Sequence, residues 1–403
     1  GERLRRMAVG KGLTIGVDAT TWWNKRGFGR FTRGQLGAML AEPRNHRFIL
    51  FVDQEPDEEM IRPHVEVVRV ETSVKVTESA VANGSRKLGD LLAFRRATFG
   101  RPMDIFWFPA VYSWYPINRN VPSVITFHDA IAERFTGLVL PQLRGRLFWH
   151  LKTWLAKRSA LHIASVSDAA RDEIVRYLHI PKEKITAILE AADARFQRVD
   201  DPRQLQAARE QLGLPLDRRL IVFVGGLAPH KNLAGLIRGF AAAVSETPAM
   251  DDVDLVLAGD PKGDGFHSNV EELHALARSA GLSSRVHFPG FVPDTILPAL
   301  YSDALTVAMP AFSEGFGLPA AEAIACGTPV IATAGGAVAE VVAGAGLFFD
   351  PHNAADIARA IGLIASDKAT LTLLKENCLP RSAELSWARS GSQMHDLLEA
   401  CAR

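Results

Sequence analysis

The chain predicts two α/β domains, each a doubly wound parallel sheet, facing one another across a central cleft. Short β-branched or aromatic runs alternate with longer helical patterns, the rhythm of βαβ units. Many of the runs are apolar throughout, as strands covered on both faces are. The length, 403 residues, suits two such domains of about 200 each. With 47% hydrophobic and 23% charged residues, the composition excludes a disordered or fibrous chain.

Taken in order, the expected strands of the first half are LTIGVDAT, RFILFVD, VEVVRV, DIFWFP, SVITFHD and HIASVS. Those of the second half are LIVFVGG, DLVLAG, RVHFPG, LTVAMP and PVIAT. Between the two series lies ARFQRVDDPRQLQAARE, whose mixed charge and Pro202 mark a linker. The domains are therefore expected at 1–200 and 201–380, followed by a helical tail, 381–403, containing Trp387 and packing back toward the first domain. Ligands of open α/β sheets bind beyond the carboxyl ends of the strands, so the chemistry belongs in the cleft.

Several classes are argued against. No G-x-G-x-x-G follows a strand and no G-x-x-x-x-G-K-[ST] occurs, which disfavours an ordinary dehydrogenase or P-loop NTPase. A net charge of +1 leaves no global footprint for nucleic acid. The halves differ: residues 1–200 carry 31 basic and 22 acidic side chains, a balance of +9, against −8 for the remainder. That suits an anionic partner of the first half, as scattered solvated charge also does. Cys326, Cys378 and Cys401 form no disulfide framework and point to a reducing compartment. The opening GERLRRMAVGKG lacks the apolar core of a secretory signal, and no apolar run reaches the ~18 residues of a membrane span. The expected location is the cytoplasm, with any membrane contact peripheral, at the inner face.

Two segments carry chemistry. LTVAMPAFSEGFGLPAAEAIACGTPVIAT, residues 305–333, reads strand, loop, helix, strand, with Pro319 in the first helical turn and Gly327 just past the helix end. Glu314 precedes this helix and Glu322 rides on it. Ionised carboxylates accept hydroxyls in pairs, as gripping a hexose or a ribose requires. Between them Gly315, Phe316, Gly317 and Leu318 offer backbone N–H groups at a helix N-terminus, where phosphate is favoured. A solvated loop Glu and a helix-capping Glu are the plain alternative. In LIVFVGGLAPHKNLAGLIRGF, residues 220–240, Lys231 arrives at a helix start, suited to a diphosphate; a merely exposed Lys is the alternative.

The pair Glu314 and Glu322 within SEGFGLPAAEA, together with VGGLAPHKN upstream, resembles the donor-binding half of retaining GT-B glycosyltransferases that use nucleotide sugars, the group 1, family 4-like type that includes bacterial mannosyl- and glucosyltransferases. RVHFPGFVPDTILPALYSDA, VITFHDAIAERF, SVSDAARDEIVRYLHIPKEKITAILEAADARF and the Trp387 segment follow the family's order, and the likeness covers roughly residues 13 to 400. The resemblance implies two Rossmann-like domains and transfer of a hexosyl unit, with retention, from a GDP- or UDP-linked sugar to a glycan or lipid-linked acceptor. Glu314 would contact the transferred sugar, Glu322 the ribose, Lys231 the diphosphate, Phe316, Gly317 and Leu318 the sugar phosphate, and Phe291 and Val292 the base. His128 would lie beside the reacting sugar and Asp129 beside the acceptor. GFGRFTRGQLGAML resembles the family's Gly-rich loop and helix, with Gly27 and Gly29 admitting the diphosphate or forming an unrelated tight turn. No metal or other cofactor is expected, Lys231 and helix N-termini supplying the positive charge.

In one respect the chain departs from the family pattern: Gly226 and His230 stand where relatives carry Arg near the Lys. Either His230 makes a weaker, pH-sensitive contact or Arg30 completes the phosphate clamp, and the second is preferred. Trp22, Trp23 and Trp114 line the acceptor side or pack in the core. Two basic amphipathic stretches remain, residues 86–101 and 143–159. The first is the better candidate for an anionic membrane, the second for a core helix of the first domain. A non-catalytic nucleotide-sugar sensor, or an epimerase or phosphorylase on the same scaffold, is the rival reading.

Overall fold

The computed structural model describes residues 12–24, 27–73, 88–136, 143–260 and 269–403. The first half folds around a seven-stranded sheet: β1 (Thr14–Asp18), β2 (Arg47–Val52), β3 (Val65–Arg69), β4 (Ile105–Phe108), β5 (Ser123–Phe127), β6 (His162–Ser165) and β7 (Ile185–Ala187), in the order β3-β2-β1-β4-β5-β6-β7. The second half holds six: β8 (Arg219–Val224), β9 (Val253–Ala258), β10 (Val286–Gly290), β11 (Thr306–Met309), β12 (Val330–Thr333) and β13 (Gly346–Phe349), in the order β10-β9-β8-β11-β12-β13. Every pair is parallel. β1, β4, β5, β9 and β11 are almost wholly buried, matching their largely apolar sequences. Two strands that the sequence pattern did not mark, β7 and β13, are short edge strands with one neighbour each.

Helices of the first domain are α1 (Gly27–Ala41), α2 (Leu88–Thr98), α3 (Ile131–Arg134), α4 (Leu143–Ser159) and α5 (Asp168–Leu178). Those that follow are α6 (Pro202–Gln211), α7 (Leu233–Glu246), α8 (Val270–Ser279), α9 (Leu297–Asp303), α10 (Leu318–Ala325), α11 (Ala337–Val342), α12 (Ala354–Ser366), α13 (Lys368–Glu384) and α14 (Trp387–Cys401). α6 opens as a linker helix should: Asp201 accepts from the Arg203 N–H and Pro202 takes the first turn. The strand order reverses between β1 and β4 and between β8 and β11. These switch points open the crevice in which α/β sheets hold ligands.

The last helix leaves its own domain and lies on the first. α14 packs against α1, where a methyl group on Gly34 would come within 2.2 Å of the Trp387 ring. Gln35 donates to the Ser390 hydroxyl at 2.8 Å, and Arg44 to the Asp396 carboxylate at 2.6 Å. One apolar cluster consequently runs through both halves, from Leu36 and Met39 on α1 to Met394 and Leu398 on α14 and on to Ile324 and Val341.

One expectation is corrected by packing. The stretch 143–159, expected to be a core helix, turns its large apolar side chains outward: Leu143, Leu147, Phe148, Leu151, Trp154 and Leu155 are all exposed. The face toward the sheet carries Trp149, Thr153 and Ala156 instead. Periodicity reveals that a stripe exists, not which side the domain covers. Of the stretch 86–101, residues 86 and 87 lie outside the described residues; on α2 Phe94 is buried against Tyr115, while Leu92, Arg95 and Arg96 are exposed.

Candidate active site

The loop after β8 is held by Asn232, whose left-handed backbone (φ 56°) turns the chain into α7. Its amide donates to the Pro310 carbonyl at 3.1 Å and the Pro351 carbonyl at 2.8 Å, tying together the loops that leave β8, β11 and β13. Lys231 is thereby fixed beside the loop of β11, and its ammonium donates to Glu314 Oε1 at 2.6 Å. Both side chains are mostly shielded, at 19% and 15% exposure. The next turn needs glycine at 317, since its φ is +91° and a Cβ would meet Val338 at 2.7 Å. α10 then starts at Leu318, Phe316 is buried in the core, and Glu322 is buried inside the second turn.

Glu322 is not free. Tyr301 Oη donates to its Oε2 at 2.9 Å, and Arg30 of the first domain donates to Oε1. The same guanidinium reaches Asp294, which also takes Arg195 at 3.3 Å. Burial holds the Glu322 carboxyl up at about 7 against the opposing pull of Arg30. Of the base-framing pair, Phe291 is exposed at the end of β10 and Val292 is buried.

Across the cleft, His128 follows β5. Its Nε2–H donates to the Pro109 carbonyl at 2.9 Å, and Nδ1 lies 3.5 Å from Glu190 Oε1. The Phe28 and Phe31 rings meet the imidazole edge-on at 4.9 and 4.4 Å. Burial raises the Glu190 carboxyl, opposed by its imidazole neighbour. Asp129 accepts from the Ile131 N–H at 3.0 Å; burial raises its carboxyl, and Glu314 and Glu173 push it in the same direction.

The two walls touch. A Cβ at Gly315 would lie 2.3 Å from the His128 carbonyl oxygen, so only glycine lets the Glu314 loop come this near. Ser167 Oγ donates to the Gly315 carbonyl at 2.7 Å and Ser313 Oγ to Glu173 at 2.8 Å. The Glu340 carboxylate caps α5 from the opposite domain, accepting from the Asp168 and Ala169 N–H groups at 3.1 and 3.2 Å. This is a closed cleft.

The residues singled out from the sequence sort accordingly. Lys231 and Glu314 meet, and Glu322 faces the same interdomain cleft through Arg30. Gly27 and Gly29 sit in the first turn of α1 and not in a loop. Gly27 faces Leu318 across the cleft, and Gly29 is required because a Cβ would strike the Asn24 carbonyl at 1.7 Å. A pH-sensitive role for His230 fails: burial, then Lys231, hold its imidazole down at about 3, so it is neutral near pH 7. Trp22 and Trp114 are buried in the first domain, as the core alternative has it, and Trp23 is half-buried against that core. Sequence reasoning missed Tyr301, Asp294 and Glu190. Tyr301 and Asp294 lie in the quoted RVHFPGFVPDTILPALYSDA segment but touch Glu322 and Arg30 only after folding, and Glu190 lies in the quoted segment that ends ILEAADARF, where nothing in the spacing marks it as the neighbour of His128.

Two domains of this topology, with a lysine and two carboxylates of the second lining the cleft between them, are the arrangement of the GT-B fold, to which the glycosyltransferases of this type belong. The family assignment agrees: the model for Glycosyl transferases group 1 matches residues 205–378, and that for Glycosyltransferase Family 4 matches residues 32–195. The chain belongs to the group 1 glycosyltransferases. A D-inositol 3-phosphate glycosyltransferase of Salinispora tropica is 32% identical over 302 residues, 72% of this chain and 62% of that protein. The chain spans about half to two-thirds of the length of the curated relatives it matches. Sucrose-phosphate synthase from Thermosynechococcus elongatus shares the fold with a TM-score of 0.71 at 22% identity, over 96% of this chain and 98% of that one. Anabaena HepE in complex with UDP and glucose does so at 0.69 and 19%, over 96% and 100%.

Proposed function

We propose that the chain transfers a hexosyl unit, of mannosyl or glucosyl type, from a nucleoside diphosphate sugar to a hydroxyl of a glycan or lipid-linked acceptor, with retention at the anomeric carbon. The observation that carries this reading is the Lys231–Glu314 pair at the switch point of the second sheet. A diphosphate takes the Lys231 ammonium from Glu314, and the released carboxylate accepts the sugar hydroxyls. The ribose diol likewise takes Glu322 from Arg30, freeing that guanidinium for the phosphates. The chemistry of these two ion pairs, an ammonium with a carboxylate and a guanidinium with a carboxylate, supports that exchange.

The acceptor oxygen forms its bond to the anomeric carbon as the bond to the diphosphate breaks, on the same face of the sugar. The acceptor proton passes to a leaving phosphate oxygen, whose charge Lys231 and the N-terminus of α10 stabilise. In this account no metal ion is needed and no carboxylate acts as nucleophile. His128 orients the sugar from the first domain once its Nε2–H leaves the Pro109 carbonyl, and closure excludes the water that would otherwise hydrolyse the donor.

The test pairs ligand binding with turnover. In a thermal-shift panel of UDP, GDP, ADP and their sugars, a true donor at 100 times its Kd stabilises by about 2.7 kcal/mol. Lys231→Ala and Glu314→Ala lower transfer by about 10²–10³-fold while shifting thermal unfolding by a few degrees at most. Wild-type turnover in either variant overturns the proposal.

A further inference from the structure

Among the described residues, fourteen large apolar side chains are exposed, and six of them sit on α4 alone. Soluble surfaces scatter such residues singly, and a contiguous patch marks a partner. The opposite side of α4 is firmly anchored. Trp149 packs on Tyr112 at 4.8 Å and donates to Glu133 at 2.7 Å, Lys152 donates to the Tyr112 carbonyl, and Lys157 donates to the Leu178 carbonyl at 3.0 Å. The helix therefore cannot roll its apolar face inward.

Charge selects the partner. Residues 143–159 contain five basic and no acidic side chains; Lys152 and Lys157 are held by carbonyls of the domain, while Arg158 lies over the outward Trp154 ring at 4.8 Å. On the same side of the sheet α2 adds exposed Leu92, Arg95 and Arg96, followed by exposed Phe99. A second copy of the chain docking by this face would bring like charges together, which is costly at a buried contact. No helix among the described residues is long and apolar enough to cross a membrane. Seventeen residues with an aromatic and aliphatic outer face and a basic complement instead match a helix lying in the plane of a lipid surface. We infer that α4, with the exposed edge of α2, docks the first domain on an anionic lipid bilayer. On the proposed function, which this step rests on, the acceptor enters from the first domain's side, and docking brings a lipid-linked acceptor within reach.

The experiment is flotation of the full chain with vesicles of phosphatidylcholine containing about 30 mol% phosphatidylglycerol, with pure phosphatidylcholine as control. Binding to the anionic vesicles is expected, weakened at least roughly tenfold in pure phosphatidylcholine and again in about 0.5 M salt. Leu147→Glu/Leu151→Glu abolishes it, and Arg158→Gln weakens it several-fold. Both variants alter exposed residues outside the catalytic machinery, so each keeps the wild-type melting temperature and transfer to a soluble acceptor. Absence of wild-type binding to anionic vesicles overturns the inference, as does undiminished binding by the Leu147→Glu/Leu151→Glu variant. A concentration-dependent dimer that this variant dissolves overturns it in favour of a second copy. The flotation and dimer readouts do not depend on the proposed reaction.

Discussion

Glu322 concentrates the electrostatics of the site at a single residue. Its carboxyl, at about 7, stands above the ordinary value of 4.5 because burial outweighs Arg30. Between those values the folded chain keeps a proton that the unfolded chain has lost. The stability this group contributes is therefore present below pH about 4.5 and lost as pH rises through about 7. Glu133, also raised to about 7 by burial, slopes in the same direction. Urea unfolding from about pH 5 to 7.5 should show stability falling by on the order of 1 kcal/mol per pH unit for each group. Glu322→Gln should remove about half of that slope; an unchanged slope would show that the carboxyl titrates normally. Motif spacing located Lys231, Glu314 and Glu322 without any of this. Their neighbours Arg30 and Tyr301 are 292 and 21 residues distant from Glu322, beyond what a local pattern encodes.

At the scale of elements, central strands were legible because apolar runs such as IFWF and SVITF announce burial on both faces. β7 and β13 were not, because an edge strand of three or four residues is stabilised by one neighbour and leaves little trace in composition. α4 was legible as a helix and misread as to side. The tail helix depends on the absence of a side chain in its partner: Gly34 admits the Trp387 ring. Gly34→Val should force α14 off α1, destabilising the protein by about 1–3 kcal/mol, read as a drop in melting temperature with faster hydrogen exchange confined to residues 387–401. Wild-type exchange there would show that the ring has room to move.

For the whole molecule, closure rests on a few polar contacts between the domains: Arg30 with Glu322 and Asp294, Ser167 with Gly315, Ser313 with Glu173, and Glu340 with the start of α5. Such contacts are individually weak, each contributing roughly 0.5–3 kcal/mol. Removing two should release the domains. Arg30→Gln/Glu340→Ala is expected to enlarge the radius of gyration in small-angle scattering and to raise the KM for the donor, with each domain's near-native circular dichroism retained. An unaltered scattering profile would place the closing force elsewhere. The two-domain architecture was legible from the alternation of strand and helix; its closed state was not, since it depends on pairs that meet only when both sheets are complete.

Because α14 rests on the first domain, the polypeptide passes between the lobes twice, once near residue 200 and once near residue 386. Two side-by-side tethers suppress twisting and sliding while allowing a clamshell rotation about the line that joins them. Severing the backbone near residue 200 would not yield a self-sufficient second lobe, because that fragment would carry a terminal helix whose Met394 and Leu398 had lost their bed. The second half is thus built to hold its shape only while it grips its counterpart.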